Sequence, residues 1–399
     1  MRVLMIAPTS FFSDYGGHIR ILEEIRALGD RGLEVAVVTY YKGNDVAGID
    51  IRRTAPLPWH TDYEVGSSRH KIAFDAYLAG QALREFRRFR PDVIHGHMHE
   101  GALIGGLLGR LFNVPLVFDY QGSLTAEMVD HHFLNPRGPL YPWAYRVEGS
   151  ITRRLPQAIL ASSGQAVALL RDKFHVPAER IHALPDCADT VQFDPALFPF
   201  APGDHPLRRQ LGLAEDTVVV GYLGLLTDYQ GIPHLIESAV ELKRRGENVH
   251  FLIMGYPNVD RYQIIAGWRG VADVMTFTGR VPFVDAPYHL AACDIAVAPK
   301  MSTSEGSGKL LNYMAMALPI VAYDTAVNRE YLAELGVYAQ SGDVGSFTEA
   351  IAGLLPDPEE RARLGRQLRR RAAEHFSWPA AAERIEKIYQ SLDNKSHSL

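Results

Sequence analysis

The chain has 399 residues, of which 47% are hydrophobic and 22% charged, and its formal net charge is −5. This length predicts two domains, and the composition excludes disorder, collagen and a coiled coil as the main architecture. The negative balance argues against nucleic acid as a partner, because phosphate binding favours a basic surface.

Short apolar runs alternate with amphipathic helical segments through the first half of the chain. The predicted strands are Val3–Ala7, Glu34–Thr39, Asp92–His95, Pro115–Phe118 and Ala158–Ala161. The predicted helices are about His18–Asp30, Lys71–Phe89, Glu100–Phe112, Pro142–Arg154 and Gly164–Phe174. Strands that alternate with helices indicate a parallel sheet covered on both faces.

Residues 185–206 contain five prolines and little periodicity, which predicts the connection between two domains. A second alternating series follows. Its predicted strands are Thr217–Tyr222, Val249–Met254, Val274–Phe277, Asp294–Ala298 and Pro319–Ala322. Its predicted helices are Pro233–Arg244, Gly308–Met316, Pro358–His375 and Pro379–Leu392. The sequence therefore predicts two doubly wound domains with a cleft between them, and ligands that bind beyond the carboxyl ends of the strands.

Gly16-Gly17-His18 lies between the first strand and its helix. Two glycines allow close approach of a ligand and leave N–H groups free at a helix N-terminus, which suits a phosphate. The dinucleotide fingerprint GxGxxG is absent. A plain turn is the alternative interpretation.

Residues 299–319 follow a buried strand and enter a helix, and they combine several polar groups on one side. Glu305 precedes Gly306-Ser307-Gly308, and Lys309 and Asn312 lie near one helical face. The carboxylate can accept sugar hydroxyls, the loop amides and Lys309 can meet phosphate, and Asn312 can bond a ribose. The alternative is a helix cap with one exposed Glu–Lys pair.

Four segments carry a resemblance to a known family. They are MRVLMI…GG…EEIRALGDRGLEVAVVT, RPDVIHGHMHEGALIGGLLGRLFNVPLV, EGSGKLLNYMAMALPIVAYD and FSWPAAAERIEKIY. The chain resembles the family 4 retaining glycosyltransferases of the GT-B fold over nearly its whole length. That resemblance implies two Rossmann-like domains, 1–186 on the acceptor side and 187–376 on the donor side. It also implies a closing helix, 377–393, that crosses back to the first domain.

The resemblance also implies roles for particular residues. Gly16 and Gly17 would face the donor diphosphate, and Glu305 would hold sugar hydroxyls. Asn312 falls where the family usually has a second Glu that binds ribose. The residues expected near the sugar and phosphate are Gly306, Ser307 and Gly308. The residues expected near the nucleotide base are Gly279, Arg280 and Val281.

The sequence departs from the family pattern in three places. The glycine-flanked loop 224–231 has Leu225 and Gln230 where the family usually carries Arg and Lys. Gln121 replaces a family His, and the donor motif is one residue shorter than usual. The charge for the diphosphate would then come from Lys309, Lys300 or Arg280, or the donor would bind differently.

Several histidines are candidates for the acceptor side. His18, His97 and His99, together with Gln121, are predicted to lie near the acceptor. A metal site at His95, His97 and His99 is the alternative for that HxHxH run. His131 and His132, after Glu127 and Asp130, either contact the acceptor or belong to a solvated loop.

The predicted helix Lys71–Phe89 ends in a basic segment made of Arg84, Arg87, Arg88 and Arg90. With Trp59 and Phe86 it could rest on anionic lipid and suit a lipid-linked acceptor. A solvated face is the alternative. No segment is long and apolar enough to span a membrane.

The resulting hypothesis is transfer of a hexose from a nucleotide-diphosphate sugar to an acceptor hydroxyl with retention. Glu305 and Lys309 are expected to be essential for it. The acceptor would be a small molecule, a glycan or a lipid-linked molecule in glycoconjugate biosynthesis, and neither cofactor nor metal is expected. A nucleotide-sugar epimerase and a non-catalytic binder are the alternatives. Two cysteines without a metal-binding spacing favour a reducing, cytoplasmic setting, with contact at the membrane surface as the further expectation. The sequence gives no indication of oligomeric state.

Overall fold

The computed structural model describes residues 1–12, 16–56, 71–130, 133–200, 203–300 and 308–396. These residues divide into two compact units. Unit 1 comprises Met1–Pro185 and residues 378–396, and unit 2 comprises residues 186–300 and 308–377. The division falls one residue from the predicted domain limit.

Unit 1 is built on a parallel sheet. Its strands are β1 (Arg2–Ala7), β2 (Glu34–Thr39), β3 (Asp50–Arg53), β4 (Val93–His97), β5 (Leu116–Tyr120), β6 (Ala158–Ala161) and β7 (Ile181–Ala183). The order is β3-β2-β1-β4-β5-β6-β7, and all neighbouring pairs are parallel. The strands β1, β4, β5 and β6 are buried almost throughout, as in a sheet covered on both faces, and β1 and β6 are almost entirely apolar.

The helices of the first part of the chain cover this sheet. They are α1 (Gly16–Asp30), α2 (Lys71–Phe89), α3 (Met98–Phe112), α4 (Leu124–Asp130), α5 (Tyr141–Arg154) and α6 (Gly164–Asp172). Side chains of α2, α3 and α5 form an apolar core with one face of the sheet, which includes Ile94 and Phe118. Because successive strand residues alternate between faces, His95, His97 and Asp119 point to the opposite face.

Unit 2 contains a second parallel sheet. Its strands are β8 (Val218–Leu223), β9 (Val249–Met254), β10 (Met275–Gly279), β11 (Ile295–Ala298), β12 (Ile320–Tyr323) and β13 (Val337–Ala339). The order is β10-β9-β8-β11-β12-β13. Its helices are α7 (Pro206–Gln210), α8 (Ile232–Arg244), α9 (Val259–Trp268), α10 (Ala286–Leu290), α11 (Gly308–Ala315), α12 (Ala326–Leu332), α13 (Val344–Ala352) and α14 (Pro358–His375). A separate apolar core holds this unit together.

The last helix, α15 (Trp378–Ser396), belongs to unit 1 and packs against α1. Short 3-10 turns complete the structure at Ala178–Arg180, Pro195–Leu197, Phe283–Asp285 and Ala333–Leu335. Among the described residues, no helix combines the length and the hydropathy needed to cross a membrane. Two doubly wound parallel-sheet units are the architecture that the sequence predicted.

Candidate functional site

The strand order of unit 2 reverses between β8 and β11, which are neighbours in the sheet. Such a reversal leaves a crevice beyond the carboxyl ends of the two strands, where doubly wound sheets bind ligands. Gly224 and Gln230 lie in the segment that follows β8. Lys309 lies in the first turn of α11, which comes after β11.

Lys309 is the residue through which these segments meet. Its Nζ donates hydrogen bonds to Oε1 of Gln230 at 2.7 Å and to the hydroxyl of Tyr222 at 3.0 Å. The same ammonium lies 4.3 Å from the centroid of the Tyr222 ring, within the range of a cation–π contact. A cation carried by α11 therefore sits beside the loop position where the sequence lacks the family's cation.

Gly224 makes room for that ammonium. Its φ is 150°, a conformation that side-chain-bearing residues rarely adopt. A Cβ at this position would lie 2.9 Å from Nζ of Lys309 and 3.2 Å from the hydroxyl of Tyr222. Glycine at 224 thus allows both the backbone conformation and the close approach of the lysine.

Two charges are concentrated near this point. Burial lowers the pKa of Lys309 well below its ordinary value, and the nearby positive charge of Lys300 lowers it further. Lys300 follows β11 and is itself only 9% exposed. A bound anion would stabilise the protonated forms of two such buried, neighbouring lysines, because it offsets both their desolvation and their mutual repulsion.

The other predicted donor-side residues of unit 2 that the structure describes lie on α11 and after β10. Gly308 is the first residue of α11. Asn312, one turn beyond Lys309, is half-buried, and its side-chain amide makes no hydrogen bond among the described residues. Arg280 directly follows β10, and its guanidinium lies 5.4 Å from the centroid of the Tyr256 ring. β9 separates β10 from β8 in the sheet. Three predicted residues, Glu305, Gly306 and Ser307, lie outside the described residues.

Unit 1 has its own reversal, between β1 and β4. Gly16 and Gly17 begin α1 in the segment after β1, so the helix starts two residues before the predicted start at about His18. His18 is fully buried, shares a hydrogen bond with the hydroxyl of Thr9, and contacts the ring of Phe11. These contacts fix the segment after β1, and the predicted place of His18 near the acceptor stays a prediction.

The carboxylate of Asp119 forms hydrogen bonds with three polar side chains of unit 1. Its carboxylate accepts hydrogen bonds from Nδ1 of His97 at 3.0 Å and from Nη2 of Arg20 at 2.8 Å. Nε2 of Gln121 donates to it at 2.7 Å. Burial alone would raise the pKa of Asp119, but Arg20 and His97 hold it well below its ordinary value. The aspartate therefore stays ionised in the interior of unit 1.

Gln121 is oriented by this carboxylate. With its Nε2 on Asp119, its Oε1 lies 3.3 Å from where a Cβ of Gly17 would be. The structure thus brings two predicted site residues together, Gln121 after β5 and Gly17 at the start of α1.

The predicted HxHxH run does not converge. β4 ends at His97, so His99 belongs to α3 and its Nε2 lies 3.5 Å from Oε1 of Glu148. His97 and His99 are both buried side chains beside carboxylates. Because the strand ends and the helix begins between them, the two side chains have different neighbours, and their predicted place near the acceptor stays a prediction. His131 and His132 lie outside the described residues.

A different group could offer ligands to a metal. Atoms of Glu24, His95, His97 and Asp119 lie within 4.8 Å of one another, and all four residues are buried. However, Arg20 pairs with both carboxylates, 2.8 Å from Asp119 and 3.1 Å from Glu24. The guanidinium already supplies a positive charge at this group.

Sequence reasoning missed most of this network. Arg20 and Glu24 are charged residues of the amphipathic first helix, yet both are buried. The i, i+4 spacing of opposite charges gave no sign that the pair is internal. Asp119 could have been found, because it directly follows an apolar strand.

Two family models match the chain. "Glycosyl transferase 4-like domain" matches residues 16–187, and "Glycosyl transferases group 1" matches residues 204–371. Together they span most of the sequence.

Individual proteins agree with these matches. The chain is 28% identical to an alpha-D-kanosaminyltransferase of Streptomyces kanamyceticus, over 78% of this chain and 81% of that protein. Its fold is similar to that of sucrose-phosphate synthase from Thermosynechococcus elongatus, with a TM-score of 0.81, 19% identity and 98% coverage of both chains. It is also similar to Anabaena HepE in complex with UDP-glucose, with a TM-score of 0.75, 17% identity, and coverage of 98% of this chain and 100% of that one. The chain belongs to the family 4 glycosyltransferases and has the GT-B fold.

Proposed function

We propose that the protein transfers a hexose from a nucleotide-diphosphate sugar to an acceptor hydroxyl with retention at the anomeric carbon. Unit 2 would bind the donor and unit 1 the acceptor. HepE, a structure of similar fold, was obtained with UDP-glucose, which supports a donor of this class.

One observation carries the donor site: Nζ of Lys309 lies 2.7 Å from Oε1 of Gln230 beside Gly224. We propose that the donor diphosphate enters here and meets Lys309 and Lys300. Gly306, Ser307 and Gly308 would offer backbone N–H groups to the diphosphate. Glu305 would accept hydrogen bonds from hydroxyls of the sugar. Asn312 would bond the ribose and Arg280 would lie near the base.

The chemistry then rests on stabilising the leaving group. The bond between the anomeric carbon and the diphosphate oxygen breaks, and the acceptor oxygen bonds to the same face of that carbon. The acceptor proton passes to the departing phosphate oxygen. Lys309 and Lys300 offset the charge that develops on the diphosphate, so no separate nucleophile, cofactor or metal is required.

On the acceptor side, Gln121 is the group whose direction is set. Asp119 fixes its amide nitrogen, which leaves Oε1 directed toward the start of α1. We propose that Oε1 accepts a hydrogen bond from the acceptor or the transferred sugar. The acceptor would be a small molecule, a glycan or a lipid-linked molecule of glycoconjugate biosynthesis. The low cysteine content of the chain, Cys187 and Cys293 alone in 399 residues, suits a reaction in the cytoplasm.

The test begins with thermal-shift titrations of the full chain with UDP, GDP and ADP and with their sugars. The stabilising donor is then incubated with panels of sugar, cyclitol and lipid-linked acceptors, with and without EDTA. NMR of the product gives the anomeric configuration. Product with an inverted anomeric carbon would overturn retention. Conversion of the donor sugar without acceptor would identify an epimerase instead, and binding with neither transfer nor hydrolysis would identify a non-catalytic binder.

A further inference from the structure

The outer side of α3 carries a row of exposed leucines. Leu103, Leu107 and Leu111 recur every four residues and are 39%, 57% and 70% exposed. This spacing places the three side chains on one helical face, and Arg110 lies on the same face. The row is separate from the apolar core, which takes the other side of the helix.

The two helices that pack against α3 are positively charged on their outer sides. The exposed arginines of the three helices are Arg84, Arg87 and Arg88 on α2, Arg110 on α3, and Arg146, Arg153 and Arg154 on α5. All four acids of these helices are at least partly buried: Asp75, Glu85, Glu100 and Glu148. The surface is basic although the whole chain has a net charge of −5.

The helix ends that carry most of these arginines are close together. Nη2 of Arg110 donates a 2.7 Å hydrogen bond to the backbone oxygen of Arg154, which joins α3 to α5. The rings of Phe86 and Phe112 stack 4.6 Å apart and join α2 to α3. This stacking buries Phe86, so the predicted lipid contact of that side chain is wrong. Trp59, named with it, lies outside the described residues.

None of the seven arginines forms an ion pair within the part of the chain that the structure describes. Basic residues in a last helical turn commonly complement the helix dipole, which accounts for five of the seven: Arg87, Arg88, Arg110, Arg153 and Arg154. It does not account for Arg84 and Arg146, which lie further from the helix ends, nor for the leucines between the two basic helices.

The combination of exposed arginines and exposed leucines on one surface indicates which kind of partner would fit it. A second copy joined by a two-fold axis would bring this arginine-rich surface against itself, which like charges disfavour. A nucleic acid backbone would use the arginines but leave the leucines without a partner. A membrane offers both anionic headgroups and acyl chains, and exposed Trp143 shares the α5 face with Arg146 and Arg153.

We propose that the outer surface of α2, α3 and α5, here called the arginine–leucine face, docks on an anionic lipid bilayer. The arginines lie among the headgroups, and Leu103, Leu107 and Leu111 enter the boundary with the acyl chains. This inference does not depend on the proposed donor site, because every residue in it belongs to unit 1.

The test is co-sedimentation of the full chain with vesicles of phosphatidylcholine, alone or mixed with phosphatidylglycerol, at low and high salt. Binding is expected only to the mixed vesicles and is expected to weaken at high salt. Replacing an arginine (Arg87→Gln, Arg153→Gln) should weaken partitioning roughly five-fold each. The change Leu107→Gln should weaken it roughly ten-fold. Circular dichroism and the melting temperature check that each variant is folded.

Matched substitutions on unit 2 serve as controls. Ile264 is 52% exposed on α9, and Arg366 is exposed on α14. Ile264→Gln and Arg366→Gln should leave vesicle binding unchanged. The proposal is overturned if the wild type ignores phosphatidylglycerol, or if the control variants lose binding as much as Leu107→Gln. It is also overturned if light scattering shows a lipid-free oligomer that Leu107→Gln dissociates, because the face would then join copies of the chain.

Discussion

The ammonium of Lys309 lies 2.7 Å from Oε1 of Gln230, which joins the first turn of α11 to the loop after β8. Two features of the sequence are explained by this one contact. Gln230 stands where the family pattern has a cation, and Lys309 brings a cation to the same place from the neighbouring strand's helix. Lys309 therefore places an ammonium beside position 230, where the resemblance implies a cation.

The variant Lys309→Gln should lower the transfer rate by about 10²–10³, the usual effect of removing one group that stabilises a developing anion. Adding Gln230→Lys to Lys309→Gln should restore part of the activity. The lysine at position 230 would then place an ammonium close to where that of Lys309 lies in the wild type. Steady-state transfer assays with the cognate donor measure both effects.

Lys243 offers a matched control for that pair. Its ammonium is bound to Asp273 on the outer side of unit 2, so Lys243→Gln should leave kcat unchanged. If the double variant is no more active than Lys309→Gln, the charge has to come from the position of Lys309 itself, and relocation along the loop is ruled out.

Donor affinity should fall as the pH rises from neutral to alkaline values. Burial lowers the pKa of Lys309 in the free protein, whereas a bound diphosphate favours the protonated amine. Above the lowered pKa, binding must therefore take up a proton, and the affinity should drop by up to about tenfold per pH unit. Calorimetric titration with the intact nucleotide sugar measures this slope, and Lys309→Gln should show a weak affinity that stays flat with pH.

Replacing Asp119 with Asn should destabilise unit 1 by about 1.5–3 kcal/mol, because Arg20 would lose one of its two buried carboxylate partners and keep only Glu24. The pKa of Asp119 is held below its unfolded value, so its contribution is complete above a pH of about 4 and is lost only as the pH falls further. Urea unfolding should thus give the same loss at neutral and mildly acidic pH. Asp45→Asn, at an exposed pair with Arg53, should cost less than about 1 kcal/mol.

Tyr389→Phe should also destabilise unit 1, by about 1–3 kcal/mol. The tyrosine hydroxyl lies 2.6 Å from Nδ1 of His95 and both side chains are fully buried, so no water can take its place. Tyr323→Phe removes an equal 2.6 Å bond to Nδ1 of His234, which is partly exposed. That variant should lose less free energy of unfolding. Equal losses would mean that burial does not set the strength of these bonds.

Apolar periodicity predicted the long elements closely, including α2 and α14 at their observed bounds. It failed where polar side chains belong to the interior. β5 was expected to end before Asp119, because a charge normally marks the surface, but Arg20 and His97 neutralise it inside. The short strand β3 was missed because its sequence, DIRR, has no apolar run, and it forms by pairing with β2.

The site was predictable as a set of segments but not as a set of contacts. The glycines at 16–17 and the segment entering α11 could be found because glycine and charge follow buried strands. The partner of Lys309 could not, since Gln230 is 79 residues away and only the parallel pairing of β8 with β11 brings the two segments together. Asp119 was missed for the same reason. Gln121 was predicted as a site residue, but its contact with the Asp119 carboxylate that orients it was not.

The return of α15 to α1 has a consequence for synthesis of the protein on the ribosome. The described residues of unit 2 all lie between 186 and 377, so they are complete once residue 377 has left the exit tunnel. Unit 1 must wait for residues 378–396, which supply Tyr389 to His95. A nascent polypeptide released at Ser377 would contain the residues of unit 2 but leave uncovered the surface of α1 that packs against α15, and we expect such a fragment to need a chaperone.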